Sequence, residues 1–114
     1  MQIQRLSWAV WAIALLVLFP TTLRASIVFE RTYGGWDVDE GYCVQQTSDG
    51  GYILAGFTQS FGAGRKDVYL VKTDSLGDTL WTKVYGGEYW DKGRHVEQTS
   101  DGGYIIVGGT YSYG

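Results

Sequence analysis

The sequence predicts an all-β protein built from four-stranded antiparallel repeats. Three observations predict it. The first is an internal repeat. Tyr33-Gly34-Gly35 recurs as Tyr85-Gly86-Gly87, and the eight residues Gln46–Ile53 (QTSDGGYI) recur unchanged as Gln98–Ile105, both at a spacing of about 52 positions. Ile27–Gly62 slides onto Thr79–Gly114 without a gap and about half the positions match, and periods of roughly this length mark stacked or circular supersecondary units. The second is composition: 17 glycines, 9 tyrosines and 5 tryptophans beside a single proline, a bias toward strands and tight turns. The third is the lack of helical periodicity anywhere after Ala25.

The elements follow in chain order. Met1–Arg5 carries one positive charge, Leu6–Phe19 is almost unbroken apolar sequence, and Pro20–Ala25 turns polar and ends on a small residue. That order predicts a helical secretory signal over residues 1–25, or an uncleaved membrane anchor through residues 6–19, although the apolar run is shorter than the ~20 residues of a spanning helix. Residues 26–33 are predicted as a lone strand, Ile27–Tyr33, which aligns with the fourth strand of the repeat and is placed either to close a ring or to stand at a sheet edge. Residues 34–85 form one complete repeat. Its strands are predicted at Tyr42–Thr47, Tyr52–Thr58, Val68–Thr73 and Thr79–Tyr85. The second of these is apolar on both faces, as a strand buried between neighbouring sheets should be. Between them lie the turn Ser48–Gly51, the glycine-containing loop Gln59–Lys66 and the turn Asp74–Asp78; Asp-Gly in the first turn predicts a tight hairpin with both central residues at positive φ. Residues 86–114 begin a second repeat and stop within it.

Four short antiparallel strands per ~50 residues predict a β-propeller blade; an open β-solenoid is the alternative, for which the unit is long. A ring of roughly 4–8 blades needs more repeats than these residues supply. Without further repeats, strand edges and apolar faces such as Tyr104–Val107 are expected to lack a neighbour.

The runs Gln45–Gly56, Asp67–Asp74 and Gly77–Trp81, together with Tyr33-Gly34-Gly35, resemble the exported β-propeller repeats of large bacterial surface and secreted proteins of unknown function. The resemblance covers essentially all of the chain after the signal. It implies a propeller and export, and carries little about activity, because one fold hosts many functions. Thr73–Trp81 also looks like the Asp…Gly…Trp turn of quinoprotein-type repeats, which in that family docks a Trp between blades. No counterpart of the cofactor-binding residues is identifiable. Ser48–Tyr52 is partly similar to the Asp-box turn of sialidases, without its spacer or its closing Thr-Trp pair. No catalytic role follows from either.

Charge and composition exclude some classes. The net charge is −3, and loss of the signal removes Arg5 and Arg24, so the remainder lacks the basic stripe of a nucleic-acid binder. Cys43 is the single cysteine, so no disulfide forms within the chain; Gly62-Ala63-Gly64 lacks the helix and Lys-Ser/Thr of a phosphate loop.

Side chains with possible chemistry each have a plainer reading. Asp49 and Asp101 read as turn residues, since one Asp per turn does not assemble a Ca²⁺ shell. Asp37, Asp39 and Glu40, with Glu88 and Asp91 in the second repeat, read as solvated loop acids, although paired carboxylates can do glycosidase work. His95 aligns with Cys43; a Cys–His pair needs hydrogen-bond reach, and packing explains both. No catalytic residue, metal site or cofactor is predicted. The positions that differ most between the copies are Trp36-Asp37-Val38 against Glu88-Tyr89-Trp90. Loops on a rigid scaffold are where binding sits, so Trp36, Asp37, Asp39, Tyr89, Trp90 and Asp91 are the predicted ligand-facing residues, their rings suited to sugar or protein contact; inter-repeat packing is the other use for such rings.

The expected function is therefore an exported or cell-surface binding, adhesion or structural module, with an unknown protein or carbohydrate ligand. The alternative is part of a propeller enzyme, hydrolase or quinoprotein-like oxidoreductase, with active residues beyond residue 114.

Overall fold

The computed structural model describes residues 1–9 and 24–113, and every regular element in them is a strand. Eight strands run in order: β1 Gln2–Ala9, β2 Arg24–Thr32, β3 Asp39–Gln46, β4 Tyr52–Thr58, β5 Asp67–Thr73, β6 Thr79–Tyr85, β7 Asp91–Gln98 and β8 Tyr104–Thr110. They form three antiparallel sheets: β1-β2, β3-β4-β5-β6 and β7-β8. The complete repeat is thus one four-stranded meander, and β7-β8 repeats its first half.

The four-stranded sheet is covered on both faces, and the alternation of β4 and β5 shows how. Leu54, Tyr69 and Val71 join Tyr33 in one buried cluster, with Met1 and Ile3 packed against it. Ile53, Ala55 and Leu70 join Val96 on the other face, with Trp81, Tyr104 and Ile106 against them. Successive side chains of a strand point to opposite faces, so the apolar run in β4 serves both clusters. The covers are β1-β2 on one side and β7-β8 on the other. Phe29 of β2 meets Tyr52 edge-on at 5.8 Å, and Trp81 of β6 meets Tyr104 of β8 in the same way at 5.8 Å. β7-β8 has no such cover on its outer face: Ile105 and Val107 are exposed.

Two expectations are corrected. The helix predicted from residue 1 is not present at Gln2–Ala9, which pairs with β2 from Gln2↔Thr32 to Ala9↔Arg24. Gln2-Ile3-Gln4 alternates polar and apolar residues, a period that suits a strand, the register shifts between Arg5 and Leu6, and β2 offers an edge of unpaired backbone groups to bind it. Most of the apolar run, residues 10–19, lies outside the described residues. The second correction concerns the Asp-Gly turns. In the first turn only Gly50 has positive φ, at 82°, and among the described residues no non-glycine residue does. Gly50 N–H donates to Thr47 O at 2.9 Å and Thr47 N–H to Gly51 O at 2.9 Å, so an ordinary turn is followed by one left-handed glycine, the other common way to close a hairpin. The same geometry recurs at Asp74–Asp78 and Thr99–Gly103, with Gly77 at 80° and Gly102 at 84°.

β3 starts at Asp39, earlier than the predicted Tyr42, because it carries a bulge between Gly41 and Cys43; β7 carries the equivalent bulge between Gly93 and His95. The bulge interrupts the alternation that marks a strand in sequence.

Candidate functional site

Antiparallel pairing sorts the connections to two ends. The registers Asp39↔Thr58, Thr58↔Asp67, Val68↔Tyr85 and Asp91↔Thr110 bring residues 33–38, 59–66, 86–90 and 111–113 to one end. A bridge between Lys66 and Trp90 joins the two repeats there, with Asp91 N–H donating to Lys66 O at 2.7 Å. The opposite end holds the three glycine turns, which contain no aromatic residue.

The first end is aromatic. Trp36, Phe61, Tyr89, Trp90, Tyr111 and Tyr113 are all exposed there, Trp36 completely. Tyr89, Trp90 and Tyr111 line a groove of about 330 Å³ with Arg65. The Lys66 ammonium lies 4.2 Å from the Phe57 ring centroid and 5.3 Å from that of Trp90, which holds Trp90 against the sheet by cation–π attraction.

A repeated hydrogen-bond staple holds these loops. In the first repeat, Asp39 Oδ2 accepts from Gly35 N–H at 2.9 Å and Ser60 Oγ at 2.8 Å, and Asp37 N–H donates to Ser60 Oγ at 3.0 Å. In the second, Asp91 Oδ2 accepts from Gly87 N–H at 2.9 Å and Ser112 Oγ at 2.6 Å, Tyr89 N–H donates to Ser112 Oγ at 3.1 Å, and Asp91 Oδ1 accepts from Thr110 Oγ1. The Gly-Gly pair now has a cause. A Cβ on Gly34 would sit 2.4 Å from Asp39 Oδ2, so the first glycine makes room for the carboxylate that the second one's N–H binds. Burial alone would raise both carboxyls, but the hydrogen bonds from Gly35 and Ser60 on Asp39, and from Ser112, Thr110 and Gly87 on Asp91, help to outweigh it and hold both below the ordinary value.

Of the predicted ligand-facing residues, Trp36, Asp37, Tyr89 and Trp90 lie on the outside of this end. Asp39 and Asp91 turn inward, Asp91 to only 2% exposure, and act as staples in these contacts. The structure brings Tyr89 and Trp90 together and leaves Trp36 alone on the neighbouring loop. Sequence reasoning missed Ser60, Ser112, Thr58, Thr110 and Tyr111. The signal was there: Thr58-Gln59-Ser60 and Thr110-Tyr111-Ser112 stand at the same repeat spacing.

The aligned pair Cys43 and His95 do meet. Cys43 Sγ lies 3.4 Å from His95 Nδ1 and 3.7 Å from Val96 O, and His95 Nε2 lies 3.1 Å from Glu97 Oε1. Thiol, imidazole and carboxylate thus form one row across the first strands of the two repeats, with Cys43 at the margin of the second buried cluster and His95 and Glu97 half exposed. At the opposite end, Asp49 makes the predicted turn contacts to Thr47 and Gly51 and also binds the buried Lys72 ammonium at 2.9 Å. Hydrogen bonds from Thr47, Lys72 and Gly51 hold its carboxyl far below the usual range.

Comparison with known protein families, with curated proteins and with solved structures finds no match. Among the described residues no helix is long and apolar enough to cross a membrane.

Proposed function

We propose that the chain is a binding module of an exported β-propeller repeat protein and that it holds carbohydrate through its aromatic end. One observation carries this reading. Six exposed aromatic side chains gather at one end of the sheets, while the turns of the other end have none. Of the six, Phe61 packs on Tyr69 at 5.7 Å and Trp90 lies under Lys66; the other four rings forgo the burial that makes them useful to a core. Rings on an open, shallow groove can stack on the flat faces of sugars, and Arg65 adds a fork of donors for hydroxyl or carboxylate groups.

The propeller reading is supported by the match between the sequence repeat and one four-stranded sheet, and by the second repeat packing onto the face of the first. Export is supported by the apolar run near the start of the chain. Titration of the chain with soluble polysaccharides, followed by tryptophan fluorescence, tests the function. Saturable binding that Trp90→Ala weakens at an unchanged melting temperature is the expected result. Binding that Trp90→Ala and Tyr111→Ala leave intact would show that the contact lies elsewhere.

A further inference from the structure

We propose that Asp67 and Asp91 form a Ca²⁺ site where the two repeats meet. Asp67 opens β5 of the first repeat and Asp91 opens β7 of the second, and both converge on Gly86. Asp67 Oδ1 and Asp91 Oδ2 lie 2.1 and 2.8 Å from the point where a Cβ on Gly86 would sit, so they are no more than about 5 Å apart, a span one Ca²⁺ closes with two oxygens at ~2.4 Å. Asp67 is 1% exposed and Asp91 2%. Asp91 has its hydrogen-bond donors, and Asp67 Oδ2 accepts from Gly64 N–H at 3.1 Å. Asp67 Oδ1 is buried with no partner at all. A buried, unpartnered oxygen facing a second buried carboxylate needs a positive charge between them.

The protein supplies none of its own. Lys66 and Lys92 flank the pair in sequence, but their ammonium groups lie over the Phe57 ring at 4.2 and 5.3 Å. No ion pair reaches either carboxylate among the described residues. Gly86 and Asp91 also line an open cavity of about 380 Å³ beside the pair, together with Thr110 and Tyr113. No third His, Cys, Asp or Glu joins them among the described residues. The remaining ligands are then main-chain carbonyls, hydroxyls and water, an all-oxygen set that suits Ca²⁺ and not Zn²⁺. The carbonyls of Gly87 and Tyr89 abut Gly64, whose N–H is already on Asp67. A cation here would tie loop 59–66 to loop 86–90, the two loops that present Arg65, Tyr89 and Trp90.

The test uses the full chain and Ca²⁺ alone. Melting is followed in EDTA and in ~5 mM Ca²⁺, above the ~0.1–1 mM dissociation constants of extracellular calcium modules. Tb³⁺ luminescence, excited through tryptophan, reports occupancy beside Trp90. Expected are a Ca²⁺-dependent rise in melting temperature and one Tb³⁺ per chain displaced by Ca²⁺. Asp67→Asn should weaken binding by about tenfold or more, as even an outer-shell loss does, while Asp101→Asn leaves it unchanged. In EDTA, Asp67→Asn should melt higher than the parent, because the repulsion is relieved. The wild-type response decides the matter even if the variant fails to fold. Equal melting in Ca²⁺ and EDTA overturns the proposal. Ca²⁺ is read without any saccharide, so a negative result leaves the role of the aromatic end untouched.

Discussion

Gly56→Ala adds one methyl group where β4 faces the Glu40–Gly41 main chain of β3. Its Cβ would sit 1.8 Å from the Glu40 carbonyl oxygen, against an ordinary contact of 3.4 Å or more, so the ladder must open by well over an ångström. The obstacle is main chain beside the Gly41–Cys43 bulge, within a sheet buried on both faces, and no flexible side chain can yield. Overpacking costs about 1–3 kcal/mol and each broken ladder bond about 1 kcal/mol more, which places the loss near 3–4 kcal/mol. Gly108→Ala meets the Lys92 carbonyl at 2.0 Å, but β8 pairs only with β7 and can give way, so about 1–2 kcal/mol is expected. Gly109→Ala meets nothing within 4 Å and should stay within about 0.5 kcal/mol of the parent. Urea unfolding followed by circular dichroism measures all three. A Gly56→Ala chain within about 1 kcal/mol of the parent would refute the reasoning, since overlap with main chain has no cheaper outcome.

Two further predictions use the repeat as its own control. Tyr33 donates its buried hydroxyl to Gly77 O at 2.6 Å, whereas the equivalent Tyr85 is exposed; Tyr33→Phe should cost about 1–3 kcal/mol in urea unfolding and Tyr85→Phe less than about 0.5 kcal/mol, and equal effects would contradict the contact. Burial pulls the Asp39 and Asp91 carboxyls up, but hydrogen bonds hold both below their unfolded value. Their contribution is therefore fully present above the unfolded carboxyl pKa of ~3.9 and is lost as pH falls below it through the lower folded values. Tryptophan fluorescence should report loosening of the aromatic end in that acid window, with Ser60→Ala and Ser112→Ala moving the onset to higher pH; stability that rises on acidification through the window would contradict it.

Much of this architecture can be read from particular residues. The Asp-Gly-Gly turns and the apolar run Tyr52–Phe57 place β4 and its hairpin because local turn chemistry and two-sided burial both leave marks in sequence. The roles of Asp39 and Asp91 do not show in that way. An acidic residue in a loop reads as solvated until its donors, Ser60 and Ser112, are seen to arrive from another loop. Cys43 and His95 illustrate the same limit: alignment puts them at equivalent positions, but only the packing of the two repeats brings them to 3.4 Å. At the start of the chain the apolar run masked a short, mostly polar stretch, Gln2–Ser7, that pairs as part of a strand with β2.

Hydroxyl-radical footprinting with and without a bound polysaccharide tests the central claim most directly, because it reads each exposed ring in the intact chain. The account predicts protection of Tyr89, Trp90 and Tyr111, with Trp36 protected by longer chains, and no change at the turns 47–51, 74–78 and 99–103. Protection confined to those turns, or to the outer face of β8 at Ile105 and Val107, would contradict it.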